Sequence, residues 1–95
     1  NTKALFFLAM SSMVLEKLYS FNVLYEFVSL VDEDVSTESS LALAMRLPPA
    51  IIGACVSFTM AEGLVRTDHS EMKFRTTALG RSFLREFQGM KKFLS

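Results

Sequence analysis

Four groups of residues in this 95-residue chain have types and spacings that could do chemistry. The first is the lone histidine, His69, in the run Asp68-His69-Ser70. A histidine there can touch phosphate or change charge near neutral pH, or it can simply solvate a turn. The second is the lone cysteine, Cys55, inside the apolar run from Pro49 to Ala61. A thiol in such a run is expected to be a small buried hydrophobe rather than an exposed nucleophile. The third is Asp32-Glu33-Asp34. Divalent cations favour clustered oxygens, but adjacent helical residues point in different directions and no Asp-x-Asp-x-Asp-Gly loop follows. A solvated acidic turn is the expectation, with no metal site. The fourth is a set of cations, Arg66, Lys73, Arg75, Arg81 and Arg85, that could gather into one basic patch for phosphate.

Catalysis needs a positioned nucleophile, base or metal set. Cys55 and His69 have no third partner in the sequence, and there is no glycine-rich phosphate loop, paired-cysteine zinc spacing or nucleophile elbow. The expectation is therefore no enzyme, no catalytic residue, no cofactor and no small-molecule substrate.

The elements that must hold these residues follow from periodicity. Residues 3–31 lack Gly and Pro and are dense in Leu, Phe, Met and Ala. They predict two helices, over 3–19 and 21–31, with a break near Ser20-Phe21-Asn22 where Ser and Asn compete for backbone bonds. Ser36-Thr37 then caps a short helix through Ala42–Leu47, with Glu38 in its first turn. Pro48-Pro49 is expected to stop it, and Pro49 suits the first turn of the next helix. That helix runs to about Glu62, with Ile52, Val56 and Thr59 or Met60 facing inward and Gly63 terminating it. Gly63–Thr67 and Glu71–Arg75 predict a hairpin around Asp68-His69-Ser70. Thr76 or Thr77 caps a last helix to about Leu94, with the stripe Leu79, Phe83, Phe87, Met90 and Leu94. Gly80 in that helix predicts a close backbone approach, and Gly89 a bend. The fold class is mainly α with a small β-hairpin (α+β).

Composition sets further bounds. Ninety-five residues make one domain that buries only about 60–65% of its unfolded surface. Yet 51% of the chain is hydrophobic, so the surplus needs a destination, and a second copy is the simplest one. The six methionines could make an adaptable surface, but at helical spacing they are expected in the core. Net charge is zero but uneven. Residues 1–62 carry three Lys/Arg against seven Asp/Glu, and 63–95 carry seven against three, giving −4 and +4. A single cysteine excludes a disulfide within the chain and fits a reducing, cytoplasmic site. The apolar stretch Ala4–Leu15 is shorter than the ~20 residues a membrane span needs and is expected to be a buried helix. No membrane association is expected.

The order of elements, with two sequence segments, resembles the winged helix-turn-helix regulators, closest to small archaeal-type and viral members. The first segment is Gly63-Leu64-Val65-Arg66. The second is Phe74-Arg75-Thr76-Thr77-Ala78-Leu79-Gly80-Arg81-Ser82-Phe83-Leu84, departing from the family pattern at Thr76, where the family has Leu. The resemblance covers about residues 20–95, with 1–19 as an added helix for packing or dimerisation. It implies an intracellular, homodimeric transcription regulator that binds double-stranded DNA. Residues Pro49–Met60 would lie in the major groove and Asp68–Lys73 would form the wing tip. The contacts it implies are Arg66, His69, Lys73, Arg75 and Arg81, with Ser57 as the base-edge donor.

The residues themselves leave a second reading open. The outer face of the groove helix offers Ile51, Ala54 and Phe58 and no charge, whereas groove reading uses Arg, Asn, Gln, Lys or Ser. That face fits packing on protein, with Phe83, Phe87, Met90 and Leu94 as further interface residues. The alternative function is thus a degenerate winged helix for protein–protein assembly without DNA.

Overall fold

The computed structural model describes residues 21–94, with side chains as far as residue 89. The helix predicted over 3–19 lies outside the described residues. Helix α1 occupies residues 21–32 and buries Phe27, Val28 and Val31 along one face. It ends because Asp34 adopts a left-handed backbone, φ 74°. The Asp34 amide then reaches the Val31 carbonyl at 3.1 Å and the Val35 amide reaches Leu30 at 2.9 Å, satisfying the last turn.

Helix α2, Glu38–Met45, starts at the predicted hydroxyl. Thr37 Oγ1 accepts from the Ser40 amide at 3.2 Å, and Ser40 Oγ accepts from the Thr37 amide at 3.2 Å, a reciprocal cap. The helix stops earlier than the prolines predict. Arg46 turns left-handed at φ 56°, and the Leu47 amide returns to the Ala42 carbonyl at 3.2 Å, two residues before proline could act. Helix α3, Pro49–Ala61, follows at once with Pro49 in its first turn. Its end matches the expectation: Gly63 at φ 75° donates to Met60, and Leu64 donates to Thr59 at 2.8 Å.

Strands β1 (Val65–Asp68) and β2 (Lys73–Thr76) pair antiparallel, with Arg66 opposite Arg75 and Asp68 opposite Lys73. The connection is longer than predicted. Asp68 Oδ1 accepts from the Ser70 amide at 3.1 Å, the Ser70 hydroxyl at 2.7 Å and the Glu71 amide at 3.2 Å. These bonds draw Glu71 and Met72 into the turn and out of the strand. The Phe74 amide donates to the Ser36 carbonyl at 2.9 Å, which ties the hairpin to the α1–α2 connection.

Helix α4 spans Ala78–Leu94 and continues through Gly89. Thr77 caps it, accepting from the Gly80 amide at 3.0 Å while its hydroxyl faces the Gly63 and Leu64 carbonyls. Thr76 is instead the last residue of β2. Gly80 fulfils its expected role: a Cβ there would overlap the Leu64 carbonyl oxygen. Leu79, expected in the inward stripe, is 57% exposed, while Phe83 of that stripe and Leu84 pack against the core. Phe87 stacks on Tyr25 of α1 with ring centroids 4.9 Å apart, beside Phe83 at 5.9 Å and Phe21 at 6.3 Å.

The core joins all these elements: Phe27, Val28 and Val31 from α1, Leu41 and Met45 from α2, Ile52 and Cys55 from α3, and Leu64 and Val65 beyond it. Each large side chain buried here contributes about 1.5–3 kcal/mol. The result is mostly helical with one two-stranded hairpin, the α+β class the sequence predicts.

Candidate nucleic-acid and protein interfaces

The hairpin positions the predicted cations, but it also binds two of them. Register places Arg66 and Arg75 on one face, directly opposite each other. Two like charges so placed repel unless neutralised. Arg75 is neutralised: its Nε donates to Asp68 at 2.6 Å and its Nη2 to Glu71 at 2.9 Å. Lys73 bridges Asp34 at 2.8 Å and Glu71 at 3.0 Å. Asp34, Lys73, Glu71, Arg75 and Asp68 thus form one continuous chain of opposite charges. Asp68 is the most strongly held. The Arg75 guanidinium, the Ser70 hydroxyl and the Glu71 amide keep its carboxyl far below its ordinary 3.8. The bond to Asp34 raises the Lys73 ammonium, and the bond to Asp68 raises the Arg75 guanidinium.

Three predicted cations stay outside this chain. Arg66, Arg81 and Arg85 form no ion pair among the described residues. Arg81 Nη1 donates to the Thr76 carbonyl at 3.2 Å, and Arg85 to Ser82 Oγ at 3.3 Å. Arg66, Arg75 and Arg81 line an open cleft of about 490 Å³ between the end of α1, the hairpin and the start of α4. Its other wall carries Asp32 and Asp34, so the cleft is close to balanced in charge. A second open cleft of about 610 Å³ adjoins it, with Arg81 and Arg85 facing Asp32 and Glu33. His69 is exposed at the hairpin tip. The basic patch drawn from the sequence is therefore divided, with Lys73 and Arg75 held by carboxylates and Arg66, Arg81 and Arg85 without a carboxylate partner among the described residues.

The second surface is α3. It buries Ile52, Cys55 and Thr59, and the Thr59 hydroxyl donates to the Cys55 carbonyl at 2.7 Å. Burial pushes the Cys55 thiol up, consistent with a packing role. Val56 is half-buried, and Met60, one of the two inward candidates, is exposed. The outer face presents Ala50, Ile51, Ala54, Ser57, Phe58 and Ala61, all exposed. Ile51 is 44% and Phe58 48% exposed, while no residue of α3 carries a charge. Ser57 is the one exposed hydroxyl on this face. The other interface residues drawn from the sequence differ. Phe87 packs on Phe21 and Tyr25 of α1, Phe83 packs against the core and Phe87, and the side chains of Met90 and Leu94 lie outside the described set.

Asp32 ends α1 and Glu33-Asp34 form the exposed turn after it; among the described residues only Asp34 of the three forms an ion pair, with Lys73. Among the described residues no group of three His, Cys, Asp or Glu is placed to hold a metal ion. No single described helix is long and apolar enough to cross a membrane; α2 and α3 together reach that length and composition but are bent by 115°. Sequence reasoning missed the counter-charges Asp34, Asp68 and Glu71. The Asp68–Lys73 register is readable once the turn is known, but Asp34 lies 39 residues from Lys73 and no local pattern joins them. No family model, curated protein or solved structure matches the chain.

Proposed function

We propose that this chain is a winged-helix module for protein–protein assembly, working through the outer face of α3 rather than reading DNA bases with it. The observation that carries the reading is the pairing of exposure with chemistry on that face: Ile51 and Phe58 are half in solvent and α3 has no charged side chain. A major groove lined with base-edge donors and acceptors, flanked by phosphate, meets on such a face one hydroxyl, Ser57, and otherwise only apolar groups that suit a thymine methyl. An apolar protein surface offers that face burial. The lone buried thiol suits a reducing cytoplasmic setting.

DNA binding by a homodimer is the second reading, and one observation favours it. Arg66, Arg81 and Arg85 have no carboxylate partner among the described residues. Contacts through them would be to phosphate, with a steep salt dependence and little sequence preference. Lys73 and Arg75 would have to leave their ion pairs to join in.

Anisotropy titration of duplex DNA at low salt separates the two. The assembly reading expects no saturable DNA binding by the wild-type chain. Saturable binding lost in Arg66→Ala/Arg81→Ala and kept in Phe58→Asp would establish the DNA reading in its place.

A further inference from the structure

We infer that α3 is a self-complementary face on which a second copy of this chain packs antiparallel, with Ala54 beside the twofold axis. This rests on the assembly reading above and names its partner. In a twofold interface every residue near the axis meets its own copy or the residue an equal distance to the other side. Any charge close to the axis would therefore meet a like charge. α3 avoids this, since no Lys, Arg, Asp or Glu occurs from Pro49 to Ala61.

The exposed residues fit the symmetry. Ala54 is central and small, so two backbones can approach there. Phe58 follows Ala54 by four residues and Ala50 precedes it by four, so each Phe58 falls over a small residue of the other copy. Ile51 and Ser57 are three residues to either side. One helical face carries all five.

The charges that flank the face choose the partner and its direction. Arg46 lies in the turn between α2 and α3, just before the N-terminal end of α3, and Glu62 caps its C-terminal end. Both are exposed, and neither forms an ion pair among the described residues. Antiparallel packing brings each Arg46 towards the partner's Glu62, twice by symmetry. Parallel packing would bring Arg46 to Arg46 and Glu62 to Glu62. A second copy thus supplies both the apolar cover and the opposite charge at each end.

Sedimentation of the full chain over a concentration series tests this, with circular dichroism confirming the fold of each variant. The wild type is expected to associate to a dimer. Phe58→Asp should weaken the dimer about 30-fold or more, as loss of a central aromatic anchor does. Arg46→Glu should weaken it roughly 5-fold, and Arg46→Glu combined with Glu62→Arg should restore it. In a Cys55→Ser background, Ala54→Cys should cross-link to its own copy on oxidation and Thr67→Cys should not. If Phe58→Asp fails to fold, the charge exchange and the cross-link decide. A wild type that stays monomeric overturns the self-packing, as does a dimer insensitive to these changes. So does a monomer that floats with neutral phospholipid vesicles through Phe58. A monomer without DNA affinity overturns the self-packing alone; saturable DNA binding through Arg66 and Arg81 overturns the assembly reading beneath it.

Discussion

The outer face of α3 and the hairpin that follows it obey opposite rules. α3 carries no charge and leaves Ile51 and Phe58 in solvent. The hairpin carries Asp68, Glu71, Lys73 and Arg75 and joins them to one another and to Asp34. Exposure and availability are therefore different properties. The Arg75 side chain is 40% exposed, yet both its Nε and Nη2 are held by carboxylates, and a phosphate would have to displace them. The apolar face has no such internal occupant among the described residues, and water is a poor one for it.

Two glycines give the largest expected difference between these regions. Gly80→Ala drives a methyl group into the Leu64 carbonyl where α4 meets the loop before the hairpin, and should cost about 3 kcal/mol in urea denaturation. Gly53→Ala, on α3, meets nothing within 4 Å and should instead stabilise the helix by up to about 1 kcal/mol. Equal effects at the two positions would mean that α4 does not approach the hairpin as closely as described.

The ion-pair chain should appear in the acid limb of stability. Asp68 and Asp34 titrate below their ordinary 3.8 in the folded chain, so their contribution is complete above about that pH. It is lost as pH falls further, through the folded values. Asp68→Asn removes the larger part and also weakens the turn bonds to Ser70 and Glu71. It should lower Tm at neutral pH by less than Gly80→Ala does, and flatten the fall in Tm below pH 4. An unchanged acid limb would show that Arg75 is not bound to Asp68 in solution.

Thr76 sharpens the comparison from the buried side of the hairpin. Its Oγ1 is buried with no hydrogen-bond partner among the described residues. Thr76→Val keeps the shape, removes the orphan hydroxyl and should gain about 1 kcal/mol in the same denaturation assay.

Much of the fold was legible because helix ends are local. The Thr37 cap, Pro49 in the first turn of α3, the Gly63 terminator and the close approach at Gly80 are each announced by a few neighbouring residues. Arg46 was not legible, since an arginine in a left-handed position has no sequence signature and the two prolines after it drew the expectation. The stripe of α4 was right at Phe83 and Phe87, which pack inward, and failed at Leu79, which lies in the first turn of the helix and stays exposed.

The candidate surfaces divide the same way. The uncharged face of α3 was determined by the sequence alone, because a helix of known ends repeats its faces every 3.6 residues. Which hairpin cations remain available was decided only by tertiary structure. Lys73 meets Asp34 across 39 residues because the Phe74 amide binds the Ser36 carbonyl and brings the hairpin to the end of α1. Coulombic attraction at 2.8 Å depends on that distance, and distance between elements is what a linear pattern of charges does not contain.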